Sequence, residues 1–333
     1  MNLSLLVFLL SVSSLSSSSS SSPAKLSFDF YSVSCPDVER HVKDAVKTRA
    51  GLDPSVPGKF LRLVFHDCMV EGCDGSILLE GDESERSDPA NASLGGFSEV
   101  EGIKRLLEIF CPGTVSCADV LALAARDAVE MSTEQYDSFQ TGGPSVKIPL
   151  GRRDGRVSAV SNVRINMVDT SFTLDQMAQT FSSKGLSVDD LVTLSGAHTI
   201  GVAHCSAFSE RFKEDSQGKL TLIDPSLNES YAAELRRECP AGASSSTIVS
   251  NDPETSHVFD NQYYRNLLVG KGLFQSDSAL LSGGRTKEKV ELFSNGQESF
   301  FQGWGESFVK LTAVDVKTGD EGEIRRSCGS VNG

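Results

Sequence analysis

Apolar residues recur every three or four positions through most of the chain. In "VERHVKDAVKTRA", Val38, Val42 and Val46 lie four apart, one stripe of an amphipathic helix. "PGKFLRLVFHDC" reads as a helix following Pro57 and Gly58. "SCADVLALAARDAV" puts Leu121, Ala125 and Val129 on one face. It opens with Ser116 as N-cap and reaches Asp119 three residues later, a loose capping box. "LDQMAQTFSSKG" carries Met177 and Phe181 together and stops at Gly185, a C-cap. "SVDDLVTLSGAHTIG" places Leu191, Leu194 and His198 at helical spacing, and "FDNQYYRNLLVGKG" and "FFQGWGESFVKLTAV" supply two more helices. Strand patterns are few and short. "TGGPSVKIPLGRRDG" and the polar stretch 240–256, "PAGASSSTIVSNDPETS", read as loops. No internal repeat or linker divides the chain.

The first 24 residues break the pattern. "MNLSLLVFLLSVSSL" is apolar but short for a bilayer span, and a serine tract with Ser22 and Ala24 follows. This predicts a signal peptide over 1–24, cleaved after Ala24, and one mature domain over 25–333. The 333 residues suffice for a large single core or two lobes sharing one. A formal net charge of -14 opposes binding to nucleic acid or anionic lipid. No second apolar run is long enough for a membrane helix. Eight cysteines remain after the leader, an even count that predicts four disulfides in an oxidising compartment. Spacing alone leaves 105 pairings.

Candidate chemistry concentrates in "LRLVFHDCMVEGCDGS", residues 61–76. A zinc site from His66, Cys68 and Cys73, a disulfide-stapled loop and a redox centre all suit these residue types. On a helix, Arg62 and His66 share a face, bordered by Phe65. A neutral imidazole beside a permanent cation is a proton acceptor next to an anion stabiliser, although a core histidine beside a surface arginine gives the same spacing. Asp67, Asp74 and Ser76, with Gly72 and Gly75 between them, offer the oxygen-rich surroundings that calcium prefers, or a solvated acidic turn. His198 sits beside Gly196 and Ala197, small neighbours that let a flat group approach. That suits an axial haem ligand or a packed core histidine.

"RLVFHDCMVEGCDGS" and "LSGAHTIG", taken with "CPGTVSCADVLALAARDAV", "PLGRRDG", "VFDNQYYRNLL", "GLFQSDSAL" and "GEIRRSC", closely resemble the secretory plant peroxidases, the class III haem peroxidases. The likeness runs in order from about Leu26 to the C-terminus. It implies an all-α haem peroxidase fold, with distal and proximal helical lobes sandwiching haem b. Arg62, Phe65 and His66 would form the distal site, and Asn91 would hold the other ring nitrogen of His66. His198 would bind iron, and Asp277 would accept its N–H. A distal calcium would take Asp67, Asp74 and Ser76, the carbonyls of Val70 and Gly72, and Glu85 through water. A proximal calcium would use Thr199, Asp252, Thr255, Val258 and Asp260. The implied disulfides are Cys35–Cys111, Cys68–Cys73, Cys117–Cys328 and Cys205–Cys239, and Asp119 and Arg152 would form a buried ion pair. The partners would be hydrogen peroxide and small phenolic donors, acted on by a monomer.

Several positions depart from the family pattern. Met69 stands where phenylalanine is usual, and Val146 replaces a frequent tryptophan, leaving Trp304 the only one. Ile165, with Val168 at the substrate entrance, stands near a position often held by proline. "TEQYDSFQT", about 133–141, reads as an insertion, either a surface loop or an extra helical turn. Of the sequons, "NAS" at Asn91 would face inward, so "NES" at Asn228 is the better glycan acceptor. The chain ends five residues after Cys328, without the long tail of vacuolar relatives, which points to the extracellular space or cell wall. The expected function is a secreted haem peroxidase that reduces hydrogen peroxide to water while oxidising small phenolic donors by one-electron steps. The alternatives are a catalytically weak haem and calcium scaffold acting as a secreted binding protein, and a secreted zinc hydrolase.

Overall fold

The computed structural model describes residues 25–130 and 142–333. The leader expected over 1–24 and the insertion expected at 133–141 lie outside them. The N-terminal half is built on four helices: α1 (Val38–Leu52), α2 (Val56–Val70), α3 (Phe97–Phe110) and α4 (Cys117–Glu130). α4 is the centre, since α1, α2 and α3 all pack against it and Cys117 to Val129 are buried without interruption. Its small residues, five alanines among fourteen, let three neighbours approach closely. The Ser116 hydroxyl accepts the Asp119 N–H at 3.1 Å, which caps the helix as its sequence predicts.

After α5 (Val163–Asn166), the second half runs α6 (Leu174–Ser183), α7 (Val188–Ser195), α8 (Glu229–Glu238), α9 (Gln262–Leu268), α10 (Gln275–Ala279), α11 (Gly284–Asn295) and α12 (Gln297–Leu311). Full capping boxes start α6, with Thr173 and Gln176, and α7, with Ser187 and Asp190. Asn228 caps α8 by accepting from the Ser230 and Tyr231 N–H groups. Two small antiparallel pairs complete the structure. β1 (Val202–His204) pairs with β4 (Ile248–Ser250), and β2 (Phe212–Glu214) with β3 (Leu220–Leu222). β4 thus forms inside the stretch expected to be all loop. One large core spans both halves. A smaller one gathers Phe208, Tyr231, Leu235 and Phe274.

Four disulfides join Cys35–Cys111, Cys68–Cys73, Cys117–Cys328 and Cys205–Cys239, the pairs the resemblance implies. With Cys68 and Cys73 bonded to each other, neither is a thiolate, and the zinc alternative loses two of its three ligands. Arg152 and Asp119, both fully buried, meet at 2.8 Å. Asp119 also accepts from the Tyr31 hydroxyl at 2.8 Å, and Arg152 Nε reaches the Thr312 carbonyl at 2.7 Å. The pair therefore links the N-terminal segment, α4 and the end of α12 at one point, with most of its polar atoms satisfied.

Candidate active site

The C-terminal part of α2 carries Arg62, Phe65 and His66, one helical turn between the first and last. His66 Nδ1 lies 2.6 Å from Asn91 Oδ1, and Asn91 Nδ2 donates to the Glu85 carbonyl at 2.7 Å. That anchor fixes the ring and turns Nε2 toward Arg62 as an acceptor. Arg62 Nε stands 3.3 Å from Nε2. The rest of the guanidinium is held by the 90–93 loop, through Ser93 Oγ at 2.9 Å and the Ala90 carbonyl at 3.1 Å. Burial, joined by the Arg62 charge, pushes the His66 pKa down to about 3, so the ring is neutral at physiological pH. Phe65 is half-buried, its ring 6.0 Å from that of Phe181.

His198 is reached differently. α7 ends at Ser195, and Gly196–Thr199 continue as a tighter 3-10 turn, so His198 is not on the α-helix that its spacing suggested. A side chain at Gly196 would collide with Tyr264 and Phe300, which explains the glycine. His198 Nδ1 is 2.8 Å from Asp277 Oδ1 at the start of α10. Burial would raise the Asp277 carboxyl, yet His198 beside it holds the pKa below the usual range. The His198 ring keeps Phe274 and Tyr263 edge-on at 5.1 and 5.9 Å.

Around the end of α2, Asp67, Asp74, Ser76 and Glu85 are buried together. Ser76 Oγ and both Glu85 carboxylate oxygens have no hydrogen-bond partner among the described residues. Burial lifts Glu85 to about 7, and burial with Asp74 nearby raises Asp67 well above the carboxylate range. Asp74 also meets the Lys317 ammonium, a partner the sequence did not suggest. On the other side, Asp260 Oδ1 accepts from Thr199 Oγ1 at 3.1 Å and Thr255 Oγ1 at 3.2 Å. Thr199 Oγ1 also reaches the Val258 carbonyl at 3.4 Å, and Thr255 Oγ1 reaches Asp252 at 3.4 Å. The five residues of that set therefore converge. Among the described residues no three carboxylate, imidazole or thiol side chains form a metal cluster by themselves, so a cation here would also need hydroxyl and carbonyl oxygens.

A family model described as peroxidase matches residues 38–296. The chain is 60% identical to Peroxidase 18 of Arabidopsis thaliana over 313 residues, 94% of this chain and 92% of that protein. It is 58% identical to Peroxidase 46 of the same plant over 311 residues, 93% of each. The chain belongs to the class III plant peroxidases. Its helix-rich body with four disulfides is the haem peroxidase fold, and membership brings haem, hydrogen peroxide and an electron donor with it. The donor set of this peroxidase fits haem. Both histidines are anchored through Nδ1; His198 keeps Nε2 to present, while His66 Nε2 accepts from Arg62 Nε at 3.3 Å. The oxygen donors around Asp67 and Asp260 suit a hard cation, and Ser76 Oγ and the Glu85 carboxylate oxygens are unpartnered on the first side, although Asp74 there already meets Lys317.

Sequence reasoning missed Ser93 and Ala90, which hold Arg62, and Tyr263, whose hydroxyl donates to Asp277 at 2.9 Å. It also missed Asn266, which donates to Asp252 at 3.0 Å. Tyr263 and Asn266 sit in "FDNQYYRNLL", which reads as a helix and gives no hint of a polar duty.

Proposed function

We propose that this peroxidase works outside the cell as a monomer and oxidises small phenolic donors, with His66 and Arg62 handling peroxide on one side of haem and His198 binding iron on the other. The observation that carries the reading is the His66–Asn91 bond of 2.6 Å, which orients a neutral Nε2 beside Arg62. Haem, when bound, supplies the redox chemistry that cleaves the O–O bond and then draws single electrons from donors. His66 Nε2 takes the proton from the inner peroxide oxygen and returns it to the outer one, which leaves as water. Arg62 stabilises negative charge on that leaving oxygen, held in place by Ser93 and the Ala90 carbonyl. Asp277 keeps the His198 proton on Nδ1, which leaves Nε2 as the atom that would hold haem iron and would make it more electron-rich. Phe65 walls the distal side.

Two calcium ions complete the proposal. One would take Asp67, Asp74 and Ser76, the Val70 and Gly72 carbonyls, and Glu85 through water. The other would take Thr199, Asp252, Thr255, Val258 and Asp260. Asp67 is adjacent to His66, so a cation there would fix the end of α2. The phenolic preference rests on the family likeness, with half-buried Val168 and Ile165, which is 79% exposed, as the residues placed at the substrate entrance. Secretion, with cleavage after Ala24, rests on the pairing of all eight cysteines. Among the described residues no helix is long and apolar enough to cross a membrane. One chain carries the whole residue set, which favours a monomer.

The test is spectroscopic. The purified holoprotein should show a Soret band that shifts on adding hydrogen peroxide and returns in two steps on adding a phenol. A shift that returns equally fast with non-phenolic reductants of the same potential would remove the phenolic preference. Absence of the protein from extracellular washes of the source tissue would remove secretion.

A further inference from the structure

One oxygen of Asp277 serves two donors. Oδ1 accepts from His198 Nδ1 at 2.8 Å and from the Tyr263 hydroxyl at 2.9 Å, while Oδ2 accepts the Phe274 backbone N–H at 2.9 Å. Tyr263 is buried on α9, its ring edge-on to His198 at 5.9 Å and to Tyr264 at 5.1 Å. A buried hydroxyl needs an acceptor, and a charged acceptor makes the stronger bond. Two donors on one oxygen compete, because each withdraws negative charge from it. The Tyr263 hydroxyl therefore weakens the pull that Asp277 exerts on the His198 Nδ1 proton.

We propose that Tyr263 is a positioning residue that limits how electron-rich His198 becomes, by sharing Asp277 Oδ1 with it. This rests on the assignment of His198 as iron ligand. Hydrogen bonding to an axial ligand is one of the levers by which a protein sets haem reduction potential. A fully basic His198 would stabilise ferric iron most. The shared oxygen places this chain short of that limit. A space-filling role for the ring makes no such claim, since phenylalanine would fill the same space.

The test compares holoenzymes carrying Tyr263→Phe, Tyr264→Phe and Asp277→Asn. The readouts are the ferric/ferrous midpoint potential and the iron–histidine stretching frequency of the ferrous form. Tyr263→Phe should make the potential more negative and raise the stretching frequency, because Asp277 then pulls on His198 alone. Tyr264→Phe should leave both unchanged, as its hydroxyl donates to the Val192 and Thr193 carbonyls at 3.0 and 3.1 Å. Asp277→Asn should make the potential less negative. An unchanged or less negative potential in Tyr263→Phe, with Asp277→Asn shifted, overturns the role of Tyr263 alone. An equal shift in Tyr264→Phe also overturns it, since general repacking would then be the cause. A silent Asp277→Asn removes the His198 assignment, and the proposal falls with it.

Discussion

Asn91 grips His66 through Nδ1 and is itself gripped by the Glu85 carbonyl, so a loop residue 25 positions away decides which ring nitrogen of His66 is free. The same loop carries the Ser93 and Ala90 groups that hold Arg62. One short segment thus aims both residues proposed to handle peroxide.

Replacing His66 by Ala should keep haem and slow the reaction with peroxide by roughly a hundred- to ten-thousand-fold, the usual contribution of a positioned acid and base. Asn91→Val should cost less, about ten- to a hundredfold, because the imidazole remains but its tautomer is unguided. Stopped-flow traces of the first oxidised state measure both. A larger loss in Asn91→Val than in His66→Ala would contradict the order of roles.

His198→Ala should yield a folded protein with little bound haem. The axial bond is then gone and only packing contacts hold the ring. Haem content per chain is the measurement, with helix content by circular dichroism as the check on folding. Full occupancy with an unaltered spectrum would move the ligand elsewhere.

Stripping calcium should lower both melting temperature and activity, and adding it back should restore them. An ion that binds only the folded chain stabilises it by about 2.7 kcal/mol at a hundredfold excess over its dissociation constant. Without the ion, the buried Asp67, Asp74 and Glu85 carboxyls face one another uncompensated on that side, save for Lys317. If metal analysis shows complete removal and neither property moves, the calcium proposal fails.

Asp190 gives a pH prediction. Burial would raise its pKa, but Lys310, Ser187 and Ser307 hold the carboxyl down to about 2. A depressed pKa contributes stability that is complete above the ordinary carboxylate value and is lost as pH falls through the folded one. Asp190→Asn should therefore destabilise by on the order of 2 kcal/mol at pH 7, and the gap from wild type should close between about pH 4 and pH 2. Paired melts across that range decide it. A gap that stays constant down to pH 2 would mean that the contact is steric.

How much was legible varies with the residue. The Arg62 and His66 spacing survives because α2 is an α-helix over Val56–Val70, where four residues make one turn. His198 was found by motif, yet its geometry was not, since the chain tightens into a 3-10 turn at Gly196, where Tyr264 and Phe300 from distant elements leave no room for a side chain. α3 carries a plain stripe of Val100, Ile103 and Leu107, but the burial of Lys104 among them, its ammonium on the Val115 carbonyl at 2.6 Å, is nothing a hydrophobic pattern encodes. α11 escaped the pattern because Val290 and Phe293 are its only large buried apolar residues. Lys317, Tyr263 and Ser93 act across 243, 14 and 31 positions, contacts that no local periodicity encodes.

The link between Cys117 and Cys328 spans 211 residues, and other contacts run beside it. Asp154, whose buried carboxylate accepts the first N–H groups of α4, also accepts the Arg325 N–H at 2.8 Å, and the Cys73 N–H donates to the Val314 carbonyl at 3.0 Å. The first half of the molecule thus draws its last contacts from the final two dozen residues. A growing chain delivers its N-terminus first, so these contacts cannot form until residues 314–328 have been made. On the proposed secretory route, Cys35, Cys111, Cys68 and Cys73 can find their partners early in the lumen. Cys117 cannot take its native partner until Cys328 has emerged.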